Sequence, residues 1–222
     1  HWFYNEWILN AENRNCLYLH FTMQDNPSLS PAIRKRYARL YSGVFYRRFI
    51  LGQWVAAEGR VYDFFDAADA PPVPSGEFSK WYISCDYGTV NPASFGLWGE
   101  QGGVWYRVQE FYFDSRREMR QMTDTEYAAA LQALAGGRRV EAVIVDPSAA
   151  SFIELLRREG WHVIKANNDV LTGIRRTSDL LKSGKLVICA TCRDCLREME
   201  LYVWEPGAGR DTVKKEHDHA MD

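Results

Sequence analysis

Two apolar runs in this sequence each end on an aspartate: WYISCD at residues 81–86 and VEAVIVD at residues 140–146. Asp86 and Asp146 therefore fall where a buried strand gives way to a loop. An Asp in that position is often only a turn former or a helix cap. A third acidic stretch, KKEHDHAMD, carries Glu216, His217, Asp218, His219 and Asp222. His219 and Asp222 stand three apart, and Asp218 and Asp222 four apart, so on a helix each pair shares a face. Asp218 also suits an N-cap, its side chain accepting a first-turn N–H, while His217 points to solvent. Asp222 leads this stretch as a metal ligand, followed by His219 and then Asp218. Hard divalent cations such as Mg²⁺ and Mn²⁺ take oxygen ligands, which is what such a set offers. Two such ions, ~3.5–4 Å apart, stabilise the attacking and leaving oxygens of a phosphoryl displacement, and one carboxylate commonly bridges them.

The elements that must bring these residues together are legible in outline. WYISCD, ASFGLWGE and VWYRVQEFYFD read as three successive strands, the last two joined by a turn at Gln101-Gly102-Gly103. They predict an antiparallel meander. Thr123 to Leu134 is an amphipathic helix with Thr123 capping toward Glu126. VEAVIVD is a fourth strand, Phe152 to Glu159 a helix, and HVIKA a strand. Val170 to Lys182 is a helix ending at Gly184, LVIC a short strand, and Arg193 to Tyr202 a helix. A meander feeding βα crossovers is α/β with a mixed sheet flanked by helices. Ligand sites in such sheets gather at the C-terminal ends of strands, so Asp86 and Asp146 can meet in one crevice, with Asp86 on a central strand.

Upstream, RNCLYLHFT (14–22) reads as a short strand, and Ser30 caps a helix with Pro31 at its first position. A second short helix runs through FYRRFILGQW. Three prolines and a glycine make AADAPPVPSGEF (67–78) a linker, so the sequence divides into 1–66, the linker 67–78, and 79–222, with a final helix reaching Asp222. The net charge is −2, yet 30–60 holds Arg34, Lys35, Arg36, Arg39, Arg47, Arg48 and Arg60 against Glu58 alone. That segment can face phosphates, an acidic partner or water. A hydrophobic content of 46% describes a globular chain, and no apolar run approaches the ~18 residues of a membrane span. Five cysteines, an odd number, and no secretory leader fit a reducing, cytoplasmic setting. The abrupt start at HWFYNEW fits a fragment of a longer chain.

An Asp on strand one, an Asp on strand four and an Asp on a final helix resemble the ribonuclease H-like nucleases. NPSLSPAIRKRYARLYSGVFYRRFILGQWVAAEGRVY, ISCDYGTVNPASFGLWG and HDHAMD resemble more narrowly the large terminase subunit of tailed bacteriophages, of the PBSX type. In that family an N-terminal ATPase pumps DNA into the capsid and a C-terminal nuclease cuts the concatemer. No GxxxxGK[ST] motif occurs here, so the resemblance implies the helical, basic tail of the ATPase region over 1–66, followed by the nuclease. It maps Asp86, Asp146 and Asp222 onto three metal-binding aspartates and His219 onto a histidine beside the third, with the motif's helix interrupted after Asp222. The implied activity is two-metal hydrolysis of double-stranded viral DNA with Mg²⁺ or Mn²⁺, in the host bacterial cytoplasm. The implied partners of the full-length protein are the portal and the small terminase subunit, with no membrane. Lys214, Lys215, Arg175 and Arg176 are candidate contacts to the DNA backbone, which carry no sequence information; the alternative is four ordinary surface cations.

Other readings compete. A junction resolvase, an RNA–DNA hybrid nuclease, and a non-catalytic DNA- or capsid-docking module all fit parts of the pattern. DYGTVN resembles the phosphate loop of actin-like and sugar-kinase ATPases, but the chain has no room for their second domain; Gly88 instead lets the turn approach metal or DNA. CATCRDC (189–195) has three thiols without a fourth partner at zinc spacing, and buried structural thiols are the simpler reading. His20 and His162 read as half-buried, and Glu110 and Asp114 as possible neighbours of the crevice.

Overall fold

Alternating apolar residues pair as a six-stranded sheet. β1 (Lys80–Asp86), β2 (Ala93–Gln101) and β3 (Val104–Phe113) form the antiparallel meander. β4 (Val140–Val145) runs parallel to β1, β5 (Val163–Lys165) parallel to β4, and β6 (Leu186–Ile188) parallel to β3. The order β5-β4-β1-β2-β3-β6 places β1 third of six. Cys85 pairs with Val145, so Asp86 and Asp146, one residue further along two parallel neighbours, leave the sheet side by side.

Side chains alternate across a strand. Ile83, Cys85, Phe95, Leu97, Val143 and Val145 face one side, buried under Tyr127 and Leu131 of α3 (Asp124–Ala135) and Phe152 and Leu156 of α4 (Ala150–Arg158). α3 opens with the expected Thr123–Glu126 capping box and closes at Gly136, φ +56°, a left-handed position suited to glycine. The opposite parity, including Tyr82, Ser84, Trp98 and Ile144, faces α5 (Val170–Lys182) and α6 (Arg193–Leu201) around an apolar cavity of about 450 Å³. A bulge in β3 matters here: Leu97 pairs with Gln109 and Trp98 with Arg107, leaving Val108 as the extra residue. An extra residue re-aims the side chains beyond it. It lets Arg107 and Glu110, of opposite parity by count, meet at 3.7 Å.

The structure, a computed structural model, describes residues 2–41, 43–55, 57–206 and 211–221. It comprises two compact units, His1–Phe64 with Val203–Lys214, and Phe65–Tyr202 with Lys215–Asp222. The sheet belongs to the second. Residues 203–214, placed by sequence beyond the linker, group with the first unit through an Arg60–Val203 bridge, Trp204 N–H to Gly59 O at 3.0 Å, and an Arg48–Asp211 ion pair. The linker residues belong to the second unit, where Ala190 N–H donates to Pro71 O at 2.8 Å.

In the first unit, α1 (Pro31–Leu40) starts at a Ser30 cap and α2 (Gly43–Phe49) follows. The strand expected at 14–22 is absent: the segment is turn and irregular chain, and Leu17, Leu19 and Phe21 are exposed. A strand needs a partner edge, and the described part of this unit forms only isolated bridges. No helix among the described residues is long and apolar enough to cross a membrane.

The final helix is also corrected. Residues 215–221 form bends and one turn, closed by Met221 N–H to Asp218 O at 2.9 Å. His217 has φ +56°, outside the helical region, and the Ala220 peptide is bound by side chains of β3 and α6 instead of by helical neighbours.

Candidate active site

The two strand-end aspartates line one crevice of about 260 Å³, with Asn168, Asp169, Thr177 and Lys215 also in its walls. The loop after Asp86 is tied down on the α3 side. Tyr87 O–H donates to Asp124, Tyr127 O–H to Gly88 O at 2.8 Å, and Ser115 O–H to Val90 O at 2.8 Å. Gly88 serves this loop itself: a Cβ there would run into the carbonyl oxygens of Asn91 and Pro92. The glycine is thus required by the turn's own backbone, in place of the expected approach of metal or DNA.

Asp146 is fixed from both sides. Its Oδ1 accepts Ser148 N–H at 2.7 Å, and its Oδ2 accepts the Asn168 amide at 2.8 Å. The Ser148 and Asn168 bonds and the Lys215 charge outweigh partial burial and hold the carboxyl below its ordinary pKa, so it is ionised at neutral pH. Asn168 carries no charge and sits in a plain polar loop, NND, so spacing alone did not mark it.

His219 reaches Asp86: Nδ1 lies 3.0 Å from Oδ2. Burial lowers the His219 pKa, but the Asp86 bond and the charges of Asp86, Glu198 and Asp218 outweigh it, so the net shift is upward. With a carboxylate as partner, Nδ1–H is the donor. Asp218 is buried, and its Oδ2 receives no hydrogen bond; the Lys215 ammonium, 3.2 Å away, is its ionic partner. Asp222 lies outside the described residues. Lys214 groups with the first unit. Arg175 and Arg176 are exposed on α5, whose Gly173, Ile174 and Thr177 line the crevice.

Two further residues escaped the sequence reading. Arg107 and Glu198 are buried and hold the Ala220 peptide next to His219. A charged residue at an inward position of an apolar strand, as in VWYRV, was the available signal. Glu110 caps the start of α6, accepting Asp194 N–H at 2.7 Å and Cys195 N–H at 3.1 Å. Cys189, Cys192 and Cys195 are buried free thiols. No cluster of three or more His, Cys, Asp or Glu able to hold a metal occurs among the described residues. His20 and His162 are exposed, not half-buried.

The oxygen donors of Asp86 and Asp146 at adjacent strand ends, with an ionised Asp146 and a histidine on Asp86, are chemically suited to hard divalent cations. The model of the terminase RNaseH-like domain matches residues 101–222. The chain belongs to the terminase ribonuclease H-like family. The large terminase of thermophilic bacteriophage D6E, solved with ADP, is 48% identical and superposes with a TM-score of 0.89, covering all of this chain and 57% of that one. The terminase large subunit of Escherichia phage T5 is 23% identical over 213 residues, 91% of this chain and 47% of its own length. This terminase domain chain thus spans about half the length of those relatives. The large terminase nuclease of thermophilic phage G20c, solved with bound magnesium, shares the fold at 14% identity, with a TM-score of 0.54 over 73% of this chain and 92% of that one. The mixed sheet with flanking helices is the ribonuclease H-like fold.

Proposed function

We propose that this chain carries the metal-dependent endonuclease activity of a phage large terminase and cuts concatemeric double-stranded viral DNA during genome packaging. The observation that supports this most is the pairing of Asp86 and Asp146 at the ends of parallel neighbours β1 and β4, with His219 against Asp86. Asp86 and Asp146 would hold divalent cations, Mg²⁺ or Mn²⁺, and by family resemblance Asp222 completes the set. When bound, two such ions supply Lewis acidity toward a phosphodiester and neutralise charge on the attacking and leaving oxygens.

The chain's own residues do the rest. Ser148 and Asn168 keep the Asp146 carboxylate ionised and fixed, so ligation needs no reorientation. His219 Nδ1–H donates to Asp86 Oδ2 and so fixes the ring, which leaves Nε2 to accept or give a proton beside the reacting phosphate. Lys215, in the crevice wall, and Arg175 and Arg176, on the exposed side of α5, fit contacts to DNA phosphates; such contacts position the duplex without reading its sequence. The reading carries with it the portal and small terminase subunit as partners of the full-length protein, working in the host cytoplasm. The G20c nuclease structure with bound magnesium supports the metal by family analogy.

The test is cleavage of supercoiled plasmid by the chain in Mg²⁺, in Mn²⁺ and in EDTA, beside Asp86→Asn. Nicking and linearisation that need the metal and vanish in the variant support the proposal. Absence of cutting with either metal overturns it. Faster cleavage of four-way junctions or RNA–DNA hybrids than of duplex DNA would move the activity to another ribonuclease H-like class.

A further inference from the structure

We propose that Arg107 and Glu198 act as a buried clamp on the Ala220 peptide and so set His219 against Asp86. Both are positioning residues, and the proposal rests on the nuclease reading above.

Ala220 is gripped at both ends of its backbone. Its N–H donates to Glu198 Oε2 at 2.6 Å, and its C=O accepts from Arg107 Nη1 at 2.9 Å. The two residues, Glu198 and Arg107, are 0% and 2% exposed. Each is itself held. Tyr112 O–H donates to Glu198 Oε1 at 2.5 Å; Arg107 Nη2 donates to Ser94 Oγ at 3.2 Å and lies 3.7 Å from Glu110 Oε2. Gly96 clears the path of the arginine across β2, since a Cβ there would lie 2.7 Å from Arg107 Nε. The bulge at Val108 gives β3 the geometry that aims Arg107, Glu110 and Tyr112 toward α6 and the 218–221 turn.

Burying an arginine and a glutamate is costly, and apolar residues of similar size often stabilise a core as well or better. What these two grip is a short turn, and residues 214–221 include no helix or strand. One residue back, His219 makes the bond to Asp86. Fixing the N–H and the C=O of one residue restrains both peptide planes that flank it, including the one that follows His219, and small misplacements at a reacting centre cost ~100-fold in rate. The arrangement fits a device for geometry.

The experiment uses the full chain as wild type, Arg107→Met, Arg107→Lys and Tyr112→Phe. Folding is checked by thermal melting. Amide hydrogen exchange is read at Ala220 and Met221, with Val143 in the core as control, without metal or DNA. Steady-state cleavage of a duplex oligonucleotide in Mn²⁺ gives kcat and KM. Arg107→Met should speed exchange at Ala220 and Met221 at least ~10-fold while Val143 is unchanged, and lower kcat by about 10- to 100-fold at constant KM. Arg107→Lys, which keeps the charge and one donor, should recover part of both. Tyr112→Phe removes one bond from Glu198 and should act in the same direction more weakly, which keeps the test open if Arg107→Met does not fold. Unchanged exchange in the folded variants overturns the clamp. Faster exchange with kcat within ~2-fold of wild type overturns its role in positioning. A wild type that cuts nothing sinks the nuclease reading instead; the exchange readout does not depend on that reading.

Discussion

Replacing Phe152 with alanine removes the platform beneath the Asp86 loop. The ring is 0% exposed and stacks on Tyr87 with centroids 4.8 Å apart, while Phe95 and Tyr127 lie at 5.9 Å and 6.3 Å. A phenylalanine side chain buries roughly 150–250 Å², worth about 4–6 kcal/mol at ~25 cal/mol/Å². Alanine keeps a part of this, and the cavity left behind adds a cost, so the expected loss is about 3–5 kcal/mol. For a unit of this size each kcal/mol lowers the melting temperature by about 2–4 °C, which gives a drop of roughly 6–20 °C. Thermal and urea unfolding followed by circular dichroism read it, with Phe152→Leu expected to lie between wild type and alanine. Exchange at the Val143 amide should report the same loss, because Val143 is in the same core. A loss below about 1.5 kcal/mol would refute the packing on which the Asp86 loop rests, since it would place the ring in a site that collapses freely.

Other expectations follow from the site. Asn168→Ala frees Asp146 Oδ2 and lets its pKa rise toward the ordinary value; the Mn²⁺ concentration for half-maximal cleavage should rise roughly 10-fold, read by metal titration. In the metal-free protein, NMR titration should place the His219 pKa above 6.5 in wild type and lower in Asp86→Asn. The sign for stability follows: the contribution of His219 is full below its unfolded pKa of about 6.5 and is lost as pH rises through the folded value, so urea unfolding of wild type against His219→Gln should differ most on the acidic side. Ellman's reagent at pH 8 should modify exposed Cys16 quickly and leave the other four thiols, because burial pushes Cys192 to about 12 and Cys195 to about 11 and raises Cys85 and Cys189. Fast modification of more than one thiol would contradict the packing around α6.

Much of the second unit was legible because its signals are local. The apolar runs of β1 to β4 and the Thr123–Glu126 box are each written within a few residues, and the structure has them where the sequence puts them. Asp86 and Asp146 were visible because an apolar strand that ends on a carboxylate is a local pattern too. The failures share a cause of the opposite kind. At 14–22 the alternation had no partner edge, and at 215–221 the helical spacing lost to Arg107 and Glu198, which are distant in sequence. The grouping of 203–214 with the first unit depends on pairing with Gly59 and Arg60. The bulge at Val108 exists only as a relation between two strands. None of these can be read from a window of ten residues.

On the proposed function, Asp86 and Asp146 hold the cations that cut DNA. Crystals of the chain soaked in Mn²⁺ and measured at the manganese edge test it most directly. Anomalous peaks are expected within direct coordination distance of both carboxylates and are expected to be absent in crystals of Asp86→Asn. Manganese bound away from this crevice, or peaks unchanged in Asp86→Asn, would contradict it.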